Sequence, residues 1–159
     1  MPKLNVIGKV PQSIGLTAQD FNNIFAVATA KLDRLQQFRG AIELRFVGET
    51  SMRNLNRDYA GNDYVTDVLS FDYSEGQIVN PEGDFAAGAI VICTAQLRRQ
   101  AKQYNVSPES EAALLFTHGL IHLSGFDHGS EAQQARFTTL QDDIMRHNGY
   151  QGRNFTWSH

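Results

Sequence analysis

The sequence predicts an α+β sandwich, a small mixed sheet of about four strands packed with about five helices, one of them central. Three observations lead there. Short segments with strand-like patterning (4–7, 41–47, 68–71 and 89–93) are interspersed with longer segments whose apolar residues recur at helical spacing. One helical segment, 107–124, is apolar almost all round and so belongs in an interior. The chain of 159 residues is about one domain long, and residues 1–159 are read as a single domain.

The elements follow in order. Leu4 to Ile7 reads as a short strand. Thr17, with Asp20 three residues on, is close to a capping box and opens a helix with Phe21, Ile24, Phe25, Val27, Ala28 and Leu32 on its apolar face. In 41–47, Ile42, Leu44 and Phe46 alternate with Glu43, Arg45 and Val47, the pattern of a strand with one face mostly buried. Thr50 is placed to cap a short helix reaching about Tyr59, with Met52 and Leu55 turned inward. Val68, Leu69 and Phe71 make a short strand. The segment from Tyr73 to Ala87, with Pro81 and Gly83 and with Gly88 just beyond, reads as a long surface loop.

Ala89 to Cys93 is apolar on both faces, as a central strand would be. Gln96 to about Tyr104 reads as a helix bearing Arg98, Arg99 and Lys102. Ser107-Pro108-Glu109 supplies a cap, a proline at the first helical position and a carboxylate near the positive helix end, and that helix runs to about Leu123. Ser130 with Gln133 caps a last helix with Phe137, Leu140 and Ile144 on one side, ended by Asn148-Gly149.

Composition narrows the functional classes. The chain is 42% hydrophobic and 19% charged, enough for a packed core. A formal net charge of −3 argues against a generally basic nucleic-acid coat protein and leaves a local basic face open. Cys93 is the only cysteine, which excludes a disulfide framework or a cysteine zinc knuckle. The N-terminal residues lack the apolar stretch of a signal peptide, and no apolar run approaches the ~20 residues of a membrane span. A soluble, reduced, cytoplasmic protein with no membrane partner is expected.

The segment THGLIHLSGFDHGS holds three of the five histidines. His118 and His122 are four apart and project from one face of a helix. Gly125 can take a positive φ and turn the chain off the helix end, so that His128 swings back toward the same point. A lone buried histidine is ordinarily a hydrogen-bonded core residue. Three in an apolar setting are different, because burying several imidazoles without partners costs several kcal/mol and a shared ion removes that cost. Three neutral imidazoles leave a fourth position open, the layout of a catalytic zinc site with one ion per chain, although imidazoles also suit nickel, copper and iron. His147 and His159 are assigned no role. The spacing also matches that of metzincin proteases, but those need a glutamate after the first histidine as general base, and here that residue is Gly119.

THGLIHLSGFDH resembles the HGxLHLxGYDH signature of the YbeY family, metal-dependent endoribonucleases linked to ribosomal RNA maturation. LNRDYAGNDYVTDVLSFDY is similar to that family's LNxxYRxxDxxTDVLSF, and GAIVIC followed by a basic helix is similar to its GDIVI strand. The resemblance runs from about Ala41 to Ile144. It implies that His118, His122 and His128 are the metal ligands, and that Thr66, Asp67 and Ser70 lie on a strand bordering the site. For Val68, Leu69 and Phe71 the plain core reading is preferred. Two positions depart from the family pattern: Ala60 stands where it has an arginine, and Ala89 where it has an aspartate.

The resemblance implies a zinc-dependent endoribonuclease that cuts single-stranded RNA by attack of an activated water. It also implies a role in processing the 3′ end of small-subunit ribosomal RNA and in ribosome quality control. Ser70 and Arg57 are the candidate catalytic residues beyond the metal. Arg98, Arg99 and Lys102 are candidate RNA contacts, the alternative for them being a solvated helix face. The competing functional readings are a catalytically weakened ribosome-associated factor with a structural metal, and a hydrolase resembling metalloproteases.

Overall fold

The computed structural model describes residues 2–73, 78–79 and 85–153; Pro81, Gly83 and His159 therefore lie outside the described residues. In chain order it comprises β1 (Lys3–Val6), a 3-10 turn (Gln12–Ile14), α1 (Ala18–Lys31), α2 (Asp33–Gln36), β2 (Ala41–Val47) and α3 (Glu49–Ala60). There follow β3 (Val68–Asp72), β4 (Ile78–Val79), β5 (Phe85–Cys93), α4 (Thr94–Gln103), α5 (Pro108–Leu123) and α6 (Glu131–His147). The α+β class expected from the sequence is observed.

The strand order is β1-β2-β5-β3, with the two-residue β4 also paired to β5. β1, β2 and β5 run parallel, and β3 and β4 are antiparallel to β5. Among the described residues β3 pairs with β5 alone and so is an edge strand, and the candidate site forms beside it.

One face of the sheet, through Ile42, Leu44, Ile90 and Ile92, packs with Phe21, Ile24, Leu115, Phe116 and Leu120 in the main core. The opposite face carries a smaller cluster of Met52, Val91 and Cys93, under α3. α5 is the central helix: every residue from Glu111 to Ile121 is buried. Burying each of its large apolar side chains contributes about 1.5–3 kcal/mol relative to exposure. Gly119 lets this helix approach the sheet closely, since a Cβ there would stand 3.0 Å from Ile90 Cγ2 and 3.2 Å from Ser70 Oγ.

The terminal signals at three helices behave as read. Thr17 and Asp20 form a reciprocal capping box on α1, as do Ser130 and Gln133 on α6. On α5 the Ser107 side chain accepts from the Ser110 backbone N–H at 3.1 Å. Elsewhere the structure corrects the sequence reading. Thr50 does not cap α3: Gly48 takes the cap position in extended backbone and Thr50 lies inside the first turn. α4 begins at Thr94 rather than Gln96, with Cys93 as its cap residue. The central strand starts at Phe85 rather than Ala89. Ala86 and Gly88 are drawn into it by pairing with β2 on one side and with β4 and β3 on the other, which the small residues alone did not signal. The Tyr73–Ala87 segment is thus in part a strand pair, not only a loop.

Candidate metal centre

His118 and His122 sit on the last two turns of α5, and His128 on the loop that follows. Gly125 has φ +86°, the left-handed conformation that turns the chain back, as its position between His122 and His128 suggested. His118 Nε2 and His122 Nε2 are 3.1 Å apart, and one ring nitrogen from each of the three histidines lies within 4.8 Å of the others.

The fit to an ion follows from this geometry. Two nitrogens bound to one tetrahedral ion at ~2.0–2.1 Å would be about 3.3 Å apart, close to the observed pair. Two lone pairs cannot face each other at that distance without repulsion. A shared proton or a shared ion resolves it, and the third imidazole nearby favours the ion. An all-nitrogen set of this kind suits zinc and leaves room for a further ligand.

The ring orientations are held by α6. His118, only 2% exposed, places Nδ1 3.1 Å from Oε1 of Gln141, which is itself buried at 1%. With the Nδ1–H donating to that amide oxygen, the Nε2 lone pair is left facing the other histidines. Phe137, one turn before Gln141, packs against all three rings, at centroid distances of 4.6 Å to His118, 5.0 Å to His122 and 6.1 Å to His128. The sequence reading took Phe137 as plain core and missed Gln141. The available signal was a glutamine on the core-facing side of an amphipathic helix, where an amide is costly to bury without a partner.

The histidines open into a cleft of about 410 Å³ whose other wall is β3 and the end of α3. Ser70, Thr66 and Ala60 all line it. The Ser70 hydroxyl donates to the Gly119 carbonyl at 3.1 Å, tying β3 to α5 beside the histidines. Thr66 both lines the cleft and donates to Asp67 at 3.4 Å. Asp67 braces the start of β3, accepting from the Val68 N–H at 2.7 Å and from Gln100 at 3.2 Å. Asp72, which the sequence reading did not single out, lines the far end and pairs with Arg34 at 3.4 Å.

The other candidates lie apart from this cleft. Arg57 is engaged with Asp58 at 3.0 Å and is not among the lining residues. Arg53 grips Asp63 through two bonds of 2.9 and 3.2 Å, and that guanidinium holds the exposed Asp63 carboxyl below the usual carboxylate range. On α4, Arg98, Arg99 and Lys102 are exposed, with Arg99 paired to Glu49 at 2.8 Å, and none lines the cleft. Ala89 is buried between Glu43 and Phe71, on the face of β5 opposite Ile90 and so away from the histidines.

Residues 10–149 match the family model described as Endoribonuclease YbeY. The chain belongs to the YbeY family. Curated YbeY endoribonucleases similar to it include one from Ureaplasma parvum, 36% identical over 82% of this chain and 80% of the relative. Another, from Heliobacterium modesticaldum, is 38% identical over 69% of this chain and 70% of the relative. A third, from Ureaplasma urealyticum, is 41% identical over 65% of this chain, a match that spans 64% of that protein's length. A solution structure of a Thermotoga maritima protein shares the fold, with a TM-score of 0.54 over 97% of both chains at 18% identity. YbeY membership supports an endoribonuclease role, hence a hydrolase with an RNA substrate. It also agrees with the absence of a protease base: the 119 position that would carry it faces Ile90 and Ser70 at 3.0–3.2 Å, with no room for a glutamate.

Proposed function

We propose that this YbeY-family protein is a zinc-dependent endoribonuclease, working as a single domain on single-stranded RNA in the cytoplasm. Its substrate would be ribosomal RNA or the small ribosomal subunit, at the 3′ end of the small-subunit RNA and in ribosome quality control. The observation that carries the reading is the convergence of His118, His122 and His128 at the floor of a cleft also lined by Ser70, in a chain of this family. These three imidazoles would hold the ion. A divalent ion there supplies a Lewis acid for a phosphoryl oxygen and an acidified water. With Gln141 Oε1 accepting from a proton on His118 Nδ1, Nε2 would stay available. Phe137 closes one side of the imidazole cluster with apolar surface, and the Ser70 hydroxyl keeps the β3 wall at a set distance from α5. Arg98, Arg99 and Lys102, exposed on α4, would act as phosphate contacts outside the cleft, steering RNA rather than reacting with it.

The test combines metal content with cleavage of an unstructured RNA. About one zinc per chain in the purified protein, with cleavage that His122→Ala abolishes, is the expected outcome. A metal-free wild type, or cleavage that survives His122→Ala, would overturn the reading.

A second reading rests on one observation: no arginine or lysine lines the cleft among the described residues, and Ala60 occupies the wall where the family resemblance puts an arginine. Phosphoryl transfer concentrates negative charge on equatorial oxygens, and a guanidinium is the natural partner for it. On this reading the protein is a weakened, ribosome-associated factor with a structural metal. Co-sedimentation with ribosomes without cleavage would support it.

A further inference from the structure

We propose that Arg34 is a phosphate contact at the end of the histidine cleft: its guanidinium exchanges the Asp72 carboxylate for a backbone phosphate of the bound strand, one beside the phosphate at the histidines. The proposal rests on the endoribonuclease reading for the identity of the strand and goes beyond it in naming the residue that holds that strand.

Alternation along β3 puts Val68, Ser70 and Asp72 on one face. Ser70 bonds to Gly119 of α5, so that face is the one that α5 and its histidines occupy. Asp72 lines the cleft together with His118, His122 and His128. Arg34 pairs with Asp72 at 3.4 Å, whereas Arg53, Arg57 and Arg99 pair with acids that do not line the cleft. The same guanidinium lies against Gly125, the residue that turns the chain between His122 and His128: a Cβ there would stand 2.6 Å from Arg34 Nη1. Arg34 therefore stands between the end of β3 and the loop that carries the third histidine. The base of its side chain is fixed, since Leu32 and Leu35 nearby on the chain are 2% and 0% exposed.

Asp72 holds this guanidinium weakly. The bond is a single contact of 3.4 Å between side chains 54% and 33% exposed, and pairs of that kind contribute little. A phosphodiester offers two oxygens to the planar guanidinium, a shorter and stronger match. Asp72 is also a negative charge on the cleft wall. It repels a phosphate and occupies the cation that attracts one, so the two side chains act on RNA with opposite signs. No arginine or lysine lines the cleft among the described residues, so no cation inside it masks the loss of a contact at its end. Arg34 reaches Gly125 and Asp72 rather than a histidine ring, which places its effect in binding the strand and not in the reacting bond.

The test uses the zinc-loaded full chain and a short unstructured oligoribonucleotide. Binding is read by fluorescence anisotropy before turnover, and KM and kcat from cleavage. Arg34→Gln should weaken binding and raise KM by roughly 3- to 15-fold at low salt, with kcat changed far less. The slope of log affinity against log salt should become shallower by about 0.7, the loss of one phosphate contact to a single strand. Arg34→Lys, which keeps the charge, should restore the slope and part of the affinity. Asp72→Asn should act in the opposite sense and tighten binding by roughly 2- to 5-fold. That opposition separates the proposal from a structural role. Both variants break the pair, so if the pair only ties the loop to β3, both shift RNA affinity, zinc content and melting temperature the same way. That result, or an unchanged affinity and salt slope in Arg34→Gln, would overturn the proposal. Arg34-dependent binding without cleavage would support the contact while defeating the nuclease reading. No binding of unpaired RNA by the wild type would overturn both.

Discussion

The amide of Gln141 should control metal affinity from outside the coordination sphere, and Gln141→Leu isolates that effect. Leucine keeps the approximate volume of a side chain that is 1% exposed and deletes its amide, and with it the acceptor 3.1 Å from His118 Nδ1. Two costs follow. The buried Nδ1–H loses its partner, a penalty of about 1–3 kcal/mol for an unsatisfied donor. The imidazole is also released to the other tautomer, which puts the proton on Nε2, facing His122 at 3.1 Å, where a metal must displace it. Loss of such an outer hydrogen-bond partner costs typically about 10–100-fold in metal affinity, or about 1.4–2.7 kcal/mol. Zinc affinity measured by competition with a chromophoric chelator should weaken by that factor in Gln141→Leu. In Gln141→Glu, a carboxylate in the same place should bind zinc at least as tightly as wild type while lowering the stability of the metal-free protein, since an acid buried there is costly without the ion. Unchanged affinity in Gln141→Leu would show that the hydrogen bond does not orient His118, and the account of the site given above would fail with it.

Four further outcomes are expected. Ala60→Arg places a guanidinium on the cleft wall and should raise RNA cleavage by roughly tenfold or more at equal zinc occupancy, given the about 10³–10⁵ in rate contributed by comparable arginines in other phosphoryl-transfer enzymes; an unchanged rate alongside an inactive His122→Ala would mean that another residue fills the role. A chelator should lower the melting temperature of the wild type but not of His122→Ala, because an ion bound only by the native state adds about 4 kcal/mol at a thousandfold excess over Kd. Arg153 makes bonds of 2.7 and 2.6 Å to Glu111, which is fully buried, so Arg153→Ala should destabilise the fold by about 3–5 kcal/mol in urea titrations; a loss of under about 1 kcal/mol would place the pair among weak surface bridges. The hydrogen bond from Lys31, 2.8 Å away, holds the Asp143 carboxyl below its usual range. A depressed carboxylate contributes stability above its unfolded pKa and loses it as pH falls through the folded value. Lys31→Met should therefore melt lower than wild type at neutral pH, with the gap closing below pH ~4, near the ordinary carboxylate value.

Much of this protein was legible along the chain because its signals are local. Thr17-Asp20, Ser107-Pro108 and Ser130-Gln133 are helix starts written in three or four residues, and the caps formed as read. The all-round apolar character of 107–124 placed it in the interior without any knowledge of its neighbours. The histidine cluster was equally local: a four-residue spacing on a helix and a glycine at φ +86° bring three side chains together within eleven residues of chain. Boundaries failed where the local signal was weak and pairing decided. The residues from Phe85 to Gly88 form a strand because β2 and β4 hydrogen-bond to them, and Gly48, not Thr50, caps α3 because the backbone leaving β2 is already extended there.

The sequence by itself determined the α+β class, the central helix and the three imidazoles, since each depends on residue types within a few turns of one another. Only the tertiary structure decided which other groups meet those imidazoles. Gln141 and Phe137 arrive from α6, and Ser70, Ala60 and Tyr64 from β3, the end of α3 and the turn between them. Arg57, a candidate catalytic residue in the sequence, and Arg98, a candidate RNA contact, stand outside the cleft. The physical reason is that a cleft is made by the packing of elements far apart in the chain. The face each side chain presents depends on helix rotation and strand register, and one residue of register carries a side chain from the cleft to the opposite face of the sheet.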